Sequence, residues 1–233
     1  MKPVRVSIIN RSRILENSDI IPVVAALQAQ VSEHLAPKWQ IDAALEFVPS
    51  SKQPSSGSWR LEVWDDTDYP PDSGYHNVGS DGVPYGKVFV NTTRGYKQNW
   101  TITASHELLE MLVNPYANLS AYVPFDANTG TFYGLEICDP VSPDENGYQI
   151  DGISVSDFVF PEWFSPFIAE PPGGQTKQVD YCKRLTGPAP TIVPTTTISV
   201  FGWRDLRSPA AAGERSTGKD TATLFSRRNF SGS

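Results

Sequence analysis

The chain has 233 residues, of which 39% are hydrophobic, 11% aromatic and 19% charged. That is enough chain to bury a core without a disulfide or metal to hold it, and a charged fraction below the usual ~25% argues against general disorder. The net charge is −7, and residues after Thr186 carry six basic against three acidic side chains. The body, residues 1–186, is therefore the acidic part, with the wrong sign for binding nucleic acid.

In chain order, residues 4–9 alternate Val4, Val6 and Ile8 with other side chains, which predicts a first strand and not the continuous apolar core of a secretion signal. Ser18 or Asp19 can cap a helix, with Pro22 in its first turn. Ile20, Val24, Leu27, Val31 and Leu35 form its apolar face, and Pro37 is expected to end it. Ala43 to Val48 reads as a second strand and Trp59 to Trp64 as a third. Asp65 to Tyr85 is long, acidic and rich in Gly and Pro, the composition of a functional loop. Gly86 to Asn91 resumes as a strand. Trp100 to Val113, closed by Asn114-Pro115, carries the strongest helix signal. Thr131 to Cys138 reads as a strand, and Tyr148 to Phe160 as a hairpin turning at Asp151-Gly152. Trp163, Phe164 and Phe167 form an aromatic cluster suited to the core.

From Gly187 the composition changes. GPAPTIVPTTT is a linker with polyproline character. Ile198 to Trp203 suits a short strand, and Ser208 to Ser233 reads as flexible, or as ordered by docking on a protein partner. The domain division is therefore 1–186 for a folded body and 187–233 for linker and basic tail. No apolar run approaches the roughly 18 residues of a membrane span, and the default compartment is cytoplasmic. Cys138 and Cys182 are too few for a disulfide framework and are expected as free thiols.

The chemistry concentrates in TASHELLEMLVNP, residues 103–115. His106 and Glu110 are four apart, so on a helix they project from one face, one turn apart. Two metal ligands need that spacing, and Glu107 beside them is placed to take a proton from water. The arrangement is that of H-E-x-x-H with glutamate as the second ligand. The opposite face carries Ile102, Leu109 and Leu112, as in any amphipathic helix. Downstream, GLEICDPV offers a third ligand, Glu136 or Asp139. Glu136 is favoured because its longer side chain reaches further from a strand. Asp139, before proline, suits a hydrogen bond to the outer nitrogen of His106.

The order of strand, helix and ligands resembles the zincin superfamily of metallopeptidases, whose folds set an edge strand across the cleft just before the ligand helix. More narrowly, SHELLEMLVNP, then LEICDPV, then YQIDGISVSDFVFPEWF, resembles a family of H-E-x-x-E proteins from bacteria and their phages, between Tyr75 and Phe164. The resemblance implies His106 and Glu110 as ligands, Glu107 as base, and Glu136 or Asp139 completing the set. The second histidine, an H-x-x-G-x-x-H extension and a Met-turn are missing; Met111 lies inside the helix. The implied fold is α+β and zincin-like: a small mixed sheet, a first helix and an active-site helix, then a strand- and loop-rich C-terminal part.

The implied activity is zinc-dependent hydrolysis of a peptide or protein substrate. One histidine with two carboxylates also suits Mn²⁺ or Fe²⁺. A competing reading is a structural or interaction protein, such as a phage particle component, on the same scaffold without turnover. His76 and Tyr148 are further candidates, as donors to an oxyanion, with Tyr75 and Tyr133 behind them. His76 lies on the predicted loop, where a histidine is ordinarily a surface residue. His34, near the end of the first helix, is explained by the helix dipole. The acidic clusters at Asp65 to Asp68 and Asp72 to Gly82 match no EF-hand spacing.

Overall fold

The computed structural model describes residues 3–68, 72–124, 130–142, 144–165, 178–188, 191 and 200–202. Five strands form the main sheet: β1 (Val4–Asn10), β2 (Ala43–Val48), β3 (Trp59–Trp64), β4 (Gly74–Val78) and β5 (Pro84–Phe89), in the order β2-β1-β3-β5-β4. The first three and β5 are parallel, and β4 runs antiparallel along the β5 edge. The fold is mixed α+β, as its sequence implies.

One face of the sheet is apolar because β-strands alternate. Val6, Ile8, Leu61, Val63 and Val88 point into a single core. Two helices cover them: α1 (Asn17–Ala29), through Ile20, Val23, Val24 and Leu27, and a later helix (Trp100–Val113), through Ala104, Leu108, Met111 and Leu112. After α1 the chain makes a π-helical turn, Gln30–Leu35, then a short helix α2 (Ala36–Trp39). A short helix α3 (Val90–Gly95) leads into the long one, α4 (Trp100–Val113), which packs across β5 and β4.

Several predicted boundaries move. Helix α1 starts at Asn17 after N-cap Glu16, whose N–H donates to Asp19 Oδ2 at 2.8 Å, so Pro22 falls in the second turn. Pro37 does not end the helical run: it lies in the first turn of α2, and Gln40 at φ 56° makes the stop. The predicted 65–85 loop contains β4. The strand predicted from Gly86 begins at Pro84, and Val90 and Asn91 already belong to α3.

The second region is made of short pieces. β6 (Ser120–Pro124) pairs with β7 (Gly130–Gly134), and the backbone of β10 (Val200–Gly202) adds to the other side of β7. β8 (Tyr148–Ile150) and β9 (Ile153–Val155) form the expected hairpin. Asp151 and Gly152 both have positive φ, as a type I′ turn requires. The hairpin stops at Val155, and the following extended stretch bridges elsewhere, Val159 to Asp180. The strand predicted to run from Thr131 to Cys138 ends at Gly134, and Asp139–Val141 is a 3₁₀ turn. Trp163 and Phe164 are buried in the core; Phe167, most of the linker and the tail from residue 203 lie outside the described residues. No described helix is long and apolar enough to cross a membrane.

Candidate metal centre

Helix α4 carries the site. Asn99 caps it, its side chain accepting from the Thr101 N–H at 3.0 Å, and Asn114 ends it. Almost the whole helix is buried, Glu107 and Glu110 included. Burying carboxylates is costly unless something pairs with them, so their surroundings decide what the site is.

His106 and Glu110 sit one turn apart as expected, with His106 Nε2 3.2 Å from Glu110 Oε2. The same imidazole nitrogen lies 3.5 Å from Asp139 Oδ1. Glu110 Oε1 accepts the Cys138 N–H at 3.0 Å, which fixes the carboxylate plane. Asp139 thus lies near His106, but on the nitrogen that also faces Glu110 and not on the outer one expected of it. The longer reach from a strand that favoured Glu136 does not apply, because neither residue is on a strand.

Glu136 belongs to another corner. Its Oε1 accepts from Asn114 Nδ2 at 3.0 Å, and its Oε2 lies 3.7 Å from His76 Nε2. Asn114 also accepts from the Asn118 and Leu119 N–H groups, so the end of α4, the following turn and Glu136 form one unit.

His76 is the main departure from the sequence reading. It is not a surface histidine: its side chain is 6% exposed, on the helix-facing side of β4, with Nδ1 3.5 Å from Glu107 Oε2. Its partner across the β4–β5 ladder is Gly86, which places no side chain beside the imidazole. Gly74 lies closer still to α4, since a Cβ there would stand 2.6 Å from Thr103 Cγ2 and 3.0 Å from Glu107 Oε1. Small residues at these two inward positions let α4 approach the edge strand closely enough for Glu107 to meet His76.

The electrostatics follow from this crowding. Burial lowers the proton affinity of both imidazoles, but carboxylates outweigh it: Glu107 and Glu136 hold His76 up to about 9, and Glu110 and Asp139 hold His106 well above the ordinary histidine range. Burial, then the charge of Glu110, pushes Glu136 up to about 8. Burial raises the Cys138 thiol as well. Two polar atoms of the cluster, His76 Nε2 and Glu136 Oε2, are buried without a hydrogen-bond partner. Nitrogen and oxygen donors held this close, with orphaned atoms among them, suit a divalent cation of the zinc or manganese type.

The other candidates lie elsewhere. The Tyr148 hydroxyl is bonded to His34 Nδ1 at 2.8 Å and receives Gln30 Nε2 at 3.1 Å, which commits it to the π-helical turn and not to an oxyanion. His34 stacks on Tyr181 at 4.5 Å, and burial lowers its proton affinity; the contact, not the helix dipole alone, explains it. Tyr75 faces away from α4, donating to Asp68 and packing on Tyr85 and Phe89. Tyr133 is buried against Trp163. Cys138 and Cys182 are both free thiols.

Comparison with protein-family models, with characterised proteins and with solved structures returned no match. The functional reading therefore stands on the geometry and on the motif.

Proposed function

We propose that the protein is a divalent-metal-dependent hydrolase of zincin-like architecture that cleaves peptide bonds, with zinc as the resident cation. The observation that carries this is the meeting of His106 Nε2 with Glu110 Oε2 and Asp139 Oδ1 at 3.2 and 3.5 Å, beside a buried Glu107. The antiparallel edge strand β4 supports the architecture, as it lies outside β5 and against the ligand helix.

In this reading His106, Glu110 and Asp139 hold the cation, which when bound supplies Lewis-acid chemistry. Glu107 is the general base that takes a proton from water. His76 Nδ1, at 3.5 Å, holds the Glu107 carboxylate in one orientation. Pre-set orientation is what makes general-base catalysis efficient, contributing about 10²–10⁴-fold.

The test is Glu107→Gln, which keeps the shape and removes the proton acceptor. Against a broad peptide library the wild type should show zinc-dependent cleavage and the variant should lose it about 10²–10⁴-fold, with zinc content by mass spectrometry unchanged. Near-wild-type cleavage by the variant rejects Glu107 as base. A zinc-loaded wild type that cleaves nothing favours a binding scaffold instead.

A further inference from the structure

The donor atoms of the cluster do not gather around one point. They fall into two sets that share Glu110: His106, Glu110 and Cys138 in one, and His76, Glu110 and Glu136 in the other, with the atoms of each set within 4.8 Å of one another. We infer that the site holds two divalent cations bridged by the Glu110 carboxylate, the second held by His76 and Glu136. This rests on the metal-dependent reading above and extends it.

Three observations converge on the second position. The first is the pair of orphaned atoms. His76 Nε2 and Glu136 Oε2 are buried without a hydrogen-bond partner and lie 3.7 Å apart. Two donors on one zinc ion, each about 2.0–2.2 Å from it, stand roughly 3–3.5 Å apart, so a small movement brings both onto a shared cation.

The second observation is that the other atoms of these groups are already committed. Glu136 Oε1 is held by Asn114, Glu110 Oε1 by the Cys138 amide, and His76 Nδ1 faces Glu107. His76 Nε2 and Glu136 Oε2, the atoms left over on those two residues, are the ones that face each other. Asn114 and Glu107 are thus the outer partners that fix ligand orientation around a metal.

The third observation is charge. Glu107, Glu110, Glu136 and Asp139 put four carboxylates beside two imidazoles. Among the described residues no lysine or arginine pairs with Glu107, Glu110 or Glu136. Burying this many acidic groups calls for positive charge, and divalent cations supply it where lysine and arginine do not. The arrangement also separates the two downstream carboxylates: Glu136 belongs to the His76 set, and Asp139 stands beside the other set, 3.5 Å from His106. A shared carboxylate sets the cations about 3.5–4 Å apart, the separation of two-metal hydrolytic centres.

The experiment counts metal. Metal-stripped full-length protein is reloaded with Zn²⁺, desalted, and its zinc measured by mass spectrometry. The expected result is two zinc ions per chain in the wild type, one in His76→Ala, one in Glu136→Gln and none in Glu110→Ala. Loading with Mn²⁺ should give an exchange-coupled paramagnetic resonance spectrum in the wild type and an uncoupled one in His76→Ala. Circular dichroism melts check that the variants fold; if His76→Ala does not, the wild-type stoichiometry and spectrum decide alone. One uncoupled metal per chain in the wild type overturns the second cation and leaves the single-metal reading standing. Two metals in both wild type and His76→Ala overturn the assignment to His76. No metal in the wild type overturns the second cation and the proposed function together.

Discussion

Two regions of this protein bury acidic side chains, and they do so in different ways. Around α4, oxygens of Glu110, Glu136 and Asp139 face imidazole nitrogens. Beneath the β8–β9 hairpin lies a second pair, Asp157 and Asp180, both fully buried. There the backbone takes up three of the four oxygens: Asp157 Oδ1 accepts the Phe158 and Cys182 N–H groups, and Asp180 accepts those of Arg184 and Leu185, while Asp157 Oδ2 is buried without a hydrogen-bond partner. Burial, then the neighbouring Asp180 charge, pushes Asp157 up to about 7, so this pair meets its charge with a proton. Buried acids alone therefore do not mark a site. What marks it is donor atoms of several residues turned toward each other and not toward the main chain.

The sharpest way to break the comparison is to remove a group from each region and weigh the metal. Glu110→Ala should lose more than nine-tenths of the bound zinc, because both donor sets contain it, whereas Asp157→Asn should leave zinc content at the wild-type value. Equal losses would make the contrast meaningless. A smaller effect is expected one step out. Asn114→Ala frees Glu136 Oε1 and should weaken zinc affinity by about 10–100-fold in a competition titration, the usual scale for outer partners of a metal site.

Next in size is the approach of α4 to the edge strand. Gly74→Ala places a methyl 2.6 Å from Thr103 Cγ2 and should cost about 1–3 kcal/mol in denaturant unfolding. Thr103→Ser removes that methyl and should recover part of the loss. Additive effects of the two changes would show that the helix does not press on the strand there.

The smallest effect belongs to the second pair and depends on pH. Asp157 holds its proton more tightly in the folded chain than the ~3.9 of an unfolded aspartate allows. Between about pH 4 and 7 the native state carries more protons, so stability falls as pH rises through that window and levels off above it. Asp157→Asn cannot ionise and should gain stability relative to wild type as pH rises from about 4 to 8, with no gain near pH 4. Parallel stability curves for the two proteins would reject a shared proton in the pair.

How much of this was legible in the sequence depended on whether function disturbed the pattern. Helix α4 is legible to the residue, because Ile102, Leu109 and Leu112 keep the apolar period while His106 and Glu110 occupy another face. Strands β2 and β3 are equally plain. β4 is not legible, because its inward positions hold Gly74 and His76 where alternation leads one to expect apolar side chains. The two residues that open room for the site and furnish its second imidazole are the ones that erase the strand signal. Reading Leu135 to Cys138 as strand had the opposite cause: Ile137 and Cys138 are buried in an irregular stretch, where period carries no information.

The π-helical turn at Gln30–Leu35 gives the two helices a common gauge. Gln30 Oε1 accepts from Ser105 Oγ at 2.7 Å, while Gln30 Nε2 reaches the Ser156 carbonyl and Tyr148. Ser105 precedes His106, so the phase of the first helical run sets where the imidazole stands. Each residue added to or taken from a helix rotates everything after it by about 100°. Deleting a single residue from this turn, even one far from any carboxylate, would swing Gln30 or His34 off its partner. The first helix therefore cannot change length by one residue, however well its apolar face is preserved, without detuning the second.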